Sequence, residues 1–136
     1  GEDTELTYAL RLLGGRLYYS SELQFRHYMP SGRLRWKYLR NLNTSMGRSD
    51  FLLYPYTEFF RDGKTNQPVW KLVAVRFIFL MRAAFNALAS AFRAGSPAVL
   101  RYERAKGEIV AILFNMEQMK RSRAWIIQAS EQLQRK

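Results

Sequence analysis

The chain has no cysteine and a single histidine, and its 136 residues carry only 11 acidic side chains against 22 lysines and arginines. Without cysteine there are no disulfides and no thiolate metal centres, and the redox compartment is left open. The scarcity of acid gives a net charge of +11, which favours anionic partners: nucleic acid, an acidic lipid surface or a phosphorylated ligand. Nucleic acid is not the expected one. The basic residues are dispersed along helices that also need their apolar faces, and no zinc-finger, RNA-binding-sheet or homeodomain signature occurs. A long uncharged apolar run is also missing. Residues 69–92 are almost wholly apolar, yet Lys71, Arg76 and Arg82 recur every five or six positions, whereas a membrane span needs roughly 20 residues with few or no charges. On a helical wheel Phe77 shares a face with Trp70, Val73, Leu80, Ala84 and Leu88. This pattern predicts a helix buried in a helical domain, with an interfacial membrane helix as the alternative.

The chain does have ample material for a core, with 48% hydrophobic and 15% aromatic residues in a length typical of one domain. Leu6, Ala9, Leu10 and Leu13 recur at helical spacing behind an acidic start, and Gly14 and Gly15 stand where a helix would end, predicting a helix over 3–13. Its charges, Glu5 and Arg11, do not fit a signal peptide. "RLYYS" and "LQFRHYM" predict two short strands, too short to form a sheet alone. After Pro30 the stripe Leu34, Tyr38, Leu39 and Leu42 predicts a second helix, broken at "MGRSD". Pro55 in "FLLYPYTEFF" favours a start, kink or turn, and "RDGKTNQP" is a loop. Ser96 and Pro97 open a last helix with Val99, Tyr102, Ile109, Leu113, Met116 and Trp125 facing inward.

Taken whole, "GEDTELTYALRLLGGRLYYSSELQFRHYMP" resembles the segment that closes the catalytic domain of family 2 glycosyltransferases, where an acidic pair begins a helix. "SGRLRWKYLRNLNTSMGRSD" resembles the segment that follows in one bacterial branch, and "YERAKGEIVAIL" its helical tail. The close match covers about residues 1–50 and is loose beyond. Acidic pair, helix, glycines, aromatic strand, His, Pro, Arg and Trp agree in order. The resemblance and the charged start together suggest a chain cut from something longer.

Inverting sugar transfer needs a carboxylate to take the proton of the acceptor hydroxyl as it attacks the anomeric carbon. The resemblance implies that Asp3 is this base, with Glu2 placing the acceptor or tuning Asp3. A helix N-terminus favours the ionised form that a base needs; an ordinary acidic first turn is the competing reading. His27 is the candidate metal ligand, near a metal or donor diphosphate in related architectures, against a structural role for a lone histidine. Arg35 and Trp36 resemble the "QxxRW" box of processive members, but Gly32 occupies the Gln position, so processive synthesis is not implied. Arg33, Arg35 and Trp36 are then candidates for binding an acceptor or phosphate, and a solvated basic face is the alternative.

The sequence has neither a nucleotide-binding βαβ region nor a DxD-type acidic motif, so the fragment alone is expected to transfer no sugar. The expected fold is mainly α, a helical fragment with a short two-stranded β element near its N-terminus. It reads as the end of a GT-A type α/β catalytic domain (residues 1–48) followed by a helical extension (residues 49–136). The parent's implied donor is a nucleotide sugar, its acceptor a sugar or lipid-linked molecule in cell-surface polysaccharide or glycolipid synthesis, and its metal Mn or Mg, none held tightly by this fragment. The implied location is the bacterial cytoplasm, with peripheral contact at the anionic inner face of the cytoplasmic membrane. Self-association stays open. The rival reading is a non-catalytic, basic helical membrane-associated or assembly protein.

Overall fold

The computed structural model describes residues 2–134, with side chains described from residue 3 to residue 132. Four helices follow in order: α1 (Glu2–Leu12), α2 (Trp36–Asp62), α3 (Val69–Ala89) and α4 (Pro97–Gln134), with a 3-10 turn at Ser31–Leu34 ahead of α2. The ends of α1 and α2 and the start of α4 fall where the local chemistry places them. Beyond α1, Gly14 takes a positive φ of 82° and the Gly15 N–H reaches back to the Leu10 carbonyl at 2.8 Å. Gly63, at φ 68°, caps α2 by donating to the Phe59 carbonyl. Pro97 opens α4, where a missing N–H costs nothing.

The chain is mainly helical, as expected, but the β element is not formed among the described residues. Residues 15–30 run irregularly, with only local turn bonds such as Leu23 N–H to the Ser20 carbonyl at 3.3 Å. Strand-forming side chains are present, but a ladder needs an edge to pair with, and the two segments give each other none. Tyr19 and Phe25 are 93% and 87% exposed.

The predicted break at "MGRSD" is also absent: α2 runs unbroken from residue 36 to 62, across the expected boundary at 48–49. The reason is Gly47. It is not a helix breaker here but a contact point, because a Cβ on Gly47 would collide with the Arg104 carbonyl of α4, and one on Gly107 would collide with the Thr44 carbonyl of α2. Only glycine permits backbones to approach this closely. α2 and α4 run in the same direction, since Arg40 meets Glu103 and Glu58 meets Arg123. α3 returns antiparallel, with Arg76 on Glu108 and Phe92 edge-on to Tyr102. α4 therefore lies between the other two long helices and is bent at Asn115, whose φ of −124° is not helical.

Two apolar clusters lie along the α2–α4 seam. Phe51, Leu72, Ala111, Ile112 and Met119 form one. Leu12, Tyr56, Ile126 and Ala129 form the other, where α1 docks with Tyr8 stacked on Tyr56 and Arg11 over the Phe60 ring. α1 uses Tyr8 and Leu12 for this, so the predicted stripe of Leu6, Leu10 and Leu13 faces outward. On α4, Val99 is buried as predicted, whereas Leu113 is 70% exposed. Buried Glu58 ties the loop between α2 and α3: it accepts from the Gln67 N–H at 2.8 Å and from Arg123 at 3.1 Å, while Arg123 also donates to the Gln67 carbonyl. Such a pair contributes little over an apolar substitute, but losing one partner strands a buried charge.

Alanine at Gly47 or Gly107 forces the two helices apart, at an expected cost of about 3 kcal/mol each, the upper part of the usual overpacking range. Because the same separation relieves both clashes, the double variant is expected to cost clearly less than the sum of the singles in urea unfolding.

Candidate functional site

The sequence-derived site residues lie in the first 36 positions. Asp3 occupies the first turn of α1 with its side chain exposed, and its backbone carbonyl accepts the Thr7 hydroxyl at 2.8 Å. The side chain of Glu2 lies outside the described residues. His27 sits in the irregular stretch after α1, exposed to solvent. Among the described residues no three histidine or acidic side chains converge on a point that would hold a metal ion. Arg33 is exposed in the 3-10 turn and Arg35 at the start of α2. Trp36 is half-buried and lines a small cleft with Lys37, Arg40, Asn41, Glu103 and Lys106. Of the candidates with described side chains, Trp36 alone is drawn against the helical body.

The polar chemistry with real structure around it lies elsewhere, on the α2–α4 and α3–α4 seams. Glu103, 2% exposed, accepts from Arg40 Nε at 2.8 Å, from Arg40 Nη2 at 2.5 Å and from the Thr44 hydroxyl at 3.1 Å, and pairs with Lys106. Burial pushes its carboxyl pKa up, but the hydrogen bonds from Lys106, Arg40 and Thr44 outweigh this and hold it below the usual range. At the next residue, Arg104 Nε donates to Asp50 at 2.5 Å. Glu108 faces Arg76 at 3.2 Å, and here burial wins: its carboxyl is held above the usual range, Arg76 opposing and the Asp50 charge adding to the rise.

These groups bound two adjoining clefts. One, of about 710 Å³, opens between α1, α2 and α4 and includes Thr4, Tyr8, Ser49 and Asp50. The other, of about 370 Å³, lies between α3 and α4 and includes Arg82, Asn86 and Arg101. Arg76, Arg104 and Glu108 line both.

The remaining surface feature is α3 itself. Its packed side holds Leu72, Val73, Arg76, Leu80, Ala83 and Ala87, mainly against α4, and its other side has no neighbour among the described residues. Trp70, Phe77, Ile78, Met81, Phe85 and Leu88 all stand exposed, Phe85 at 71%. The expected burial of this helix is thus not met: Phe77, Trp70 and Leu88 point away from the domain because α4 and the Phe51–Tyr54 part of α2 cover only one side of α3. By length and composition it is also a helix apolar enough to cross a membrane, with 11% of that window buried.

The buried carboxylates of Glu58 and Glu103 and the half-buried one of Glu108 escaped the sequence reading because they look like ordinary helix-surface charges. A signal existed: Glu103 falls in step with Val99, Gly107 and Ala111 at intervals of four. Comparison with known proteins finds no match to any family model, curated protein or solved structure.

The depressed carboxyl of Glu103 gives a directional pH dependence. Its stabilisation is complete above the ordinary glutamate range and is lost as pH falls through its lower folded value. Glu103→Gln is expected to lower the urea midpoint at neutral pH and to flatten its decline below about pH 5.

Proposed function

We propose that this chain is the end of a bacterial family 2 glycosyltransferase, comprising the last helix of the GT-A type catalytic domain and a helical extension that seats the enzyme on an anionic membrane. The parent moves a sugar from a nucleotide diphosphate to a sugar or lipid-linked acceptor. Asp3 is the general base, with Glu2 beside it placing the acceptor. His27 approaches the donor diphosphate, and Arg33, Arg35 and Trp36 border the acceptor. The donor site and any metal belong to a nucleotide-binding half that this sequence does not contain.

The observation that carries this reading is the bareness of residues 6–28. Leu6, Leu10, Leu13, Leu17, Tyr18, Tyr19, Leu23, Phe25 and Tyr28 are all exposed, and they fall within the stretch whose motif resembles the end of a catalytic domain. An apolar surface of this extent marks an interface, and an α/β catalytic body also offers the sheet edge that the two aromatic segments lack.

For the extension, the exposed face of α3 supports membrane contact. Large apolar side chains flanked by Lys71 and Arg82 suit an interfacial helix, and each basic residue near anionic headgroups contributes about 1 kcal/mol. The same face favours the rival, a non-catalytic membrane-associated protein. The two part at the upstream reading frame, which for a glycosyltransferase encodes a nucleotide-binding region with a DxD motif.

In the full-length parent, Asp3→Asn is expected to reduce transfer from a radiolabelled nucleotide sugar about 10²–10⁴-fold, the usual worth of a positioned base. Since Asp3 is exposed, the fold is expected to survive unchanged by circular dichroism. Retained transfer by that variant, or transfer by the 136-residue chain alone, counts against the assignment. For the extension, Ile78→Glu combined with Phe85→Glu is expected to abolish flotation with anionic liposomes while leaving the helix content intact.

A further inference from the structure

We propose that the cleft between α3 and α4 is a phosphate-binding site, with Arg82 and Arg101 as its direct donors. The two helices run antiparallel here, so Arg82 and Asn86 from α3 face Arg101 and Arg104 from α4 across a space of about 370 Å³. A phosphate group has several acceptor oxygens and suits donors arriving from two sides, and guanidinium forks match it in pairs.

The charges in the cleft are unequally engaged. Arg104 is held by Asp50, and Arg76 faces Glu108. Arg82 and Arg101 form no ion pair among the described residues. The lining thus has four arginines against one acidic residue, Glu108, and even with Asp50 counted two positive charges stay uncompensated. Arg76 Nε is buried against Glu108 at 3.2 Å, so this guanidinium is committed to the wall and the open cleft is left to Arg82 and Arg101.

The location favours a phosphate carried by a lipid. Arg82 follows Ile78 by four residues and precedes Phe85 by three, so it stands at the border of the exposed apolar face. A headgroup in the cleft leaves its acyl chains beside that face. The same donors accept a soluble phosphate, so the chemistry is common to both sources and the test separates them. The site stands apart from the glycosyltransferase reading, since neither arm of the test involves sugar transfer.

The first arm titrates soluble inorganic pyrophosphate into the 136-residue chain by calorimetry. The second compares vesicles containing phosphatidic acid, which presents a phosphate monoester, with phosphatidylserine vesicles of matched surface charge. Arg82→Gln and Arg101→Gln are each expected to weaken binding about tenfold, as loss of a charge-assisted hydrogen bond does. Arg48→Gln, an exposed arginine of α2 outside the cleft, removes the same charge and is expected to change it less than about twofold. Arg82 and Arg101 pair with no acidic side chain among the described residues, so both variants are expected to fold, checked by helix content. Preference for phosphatidic acid that vanishes in both variants supports the site and assigns it to a lipid. Pyrophosphate binding with the same dependence but no lipid preference supports it with a soluble ligand. If neither probe binds, or if the cleft variants weaken binding no more than Arg48→Gln, the proposal is overturned.

Discussion

The close approach of α2 and α4 at Gly47 and Gly107 governs the rest of the molecule. With no side chain on either glycine, each helix sets its backbone against the other's carbonyl row. That proximity brings Arg40 and Thr44 onto Glu103 and Arg104 onto Asp50. A larger residue at the crossing would separate these partners and leave a buried carboxylate without its donors, a heavier cost than the lost packing. Steric fit and charge pairing are therefore coupled at one point. The apolar clusters further along the seam inherit their alignment from it.

The same arrangement explains why α3 is so bare. A helix packed on both sides needs two neighbours, and α3 meets α4 and the Phe51–Tyr54 side of α2 along the same inner stripe, where Arg76 lies over the Tyr54 ring. α3 thus buries one narrow stripe and presents the remainder of an apolar circumference to the surroundings. Apolar faces this wide are costly in water and stable against a lipid or protein surface. The arginine cleft opens along its flank, so apolar and cationic surfaces adjoin on one side of the molecule.

Much of the helical framework was legible in the sequence because its signals are local. Gly14 and Gly15 closed α1, Gly63 lay in a loop already marked by composition, and Pro97 opened α4. What was not legible depends on neighbours distant in the chain. Gly47 read as a break because sequence cannot tell a glycine that interrupts a helix from one that lets a second helix in. The aromatic segments after α1 carried strand propensity, which is realised only beside another edge. The wheel of α3 identified an apolar helix but not which side would find a partner. Among the candidate site residues, Asp3, His27, Arg33 and Arg35 sit on the exposed N-terminal third, so their grouping depends on what packs there. The partners of Glu58, Glu103 and Glu108 were hidden because they lie on other helices, and only the four-residue step of Glu103 with Val99, Gly107 and Ala111 marked one of them locally.

The continuity of α2 sets a constraint of register. A helix advances about 1.5 Å and turns about 100° per residue, and this one passes the glycine crossing without a hinge. Adding or deleting one residue between Trp36 and Arg40 would leave the crossing intact but swing everything before it through that angle. The N-terminal stretch and the three-helix body are geared together like two parts keyed to one shaft. Chain length is then tolerated in the loops and tightly fixed along this one helix.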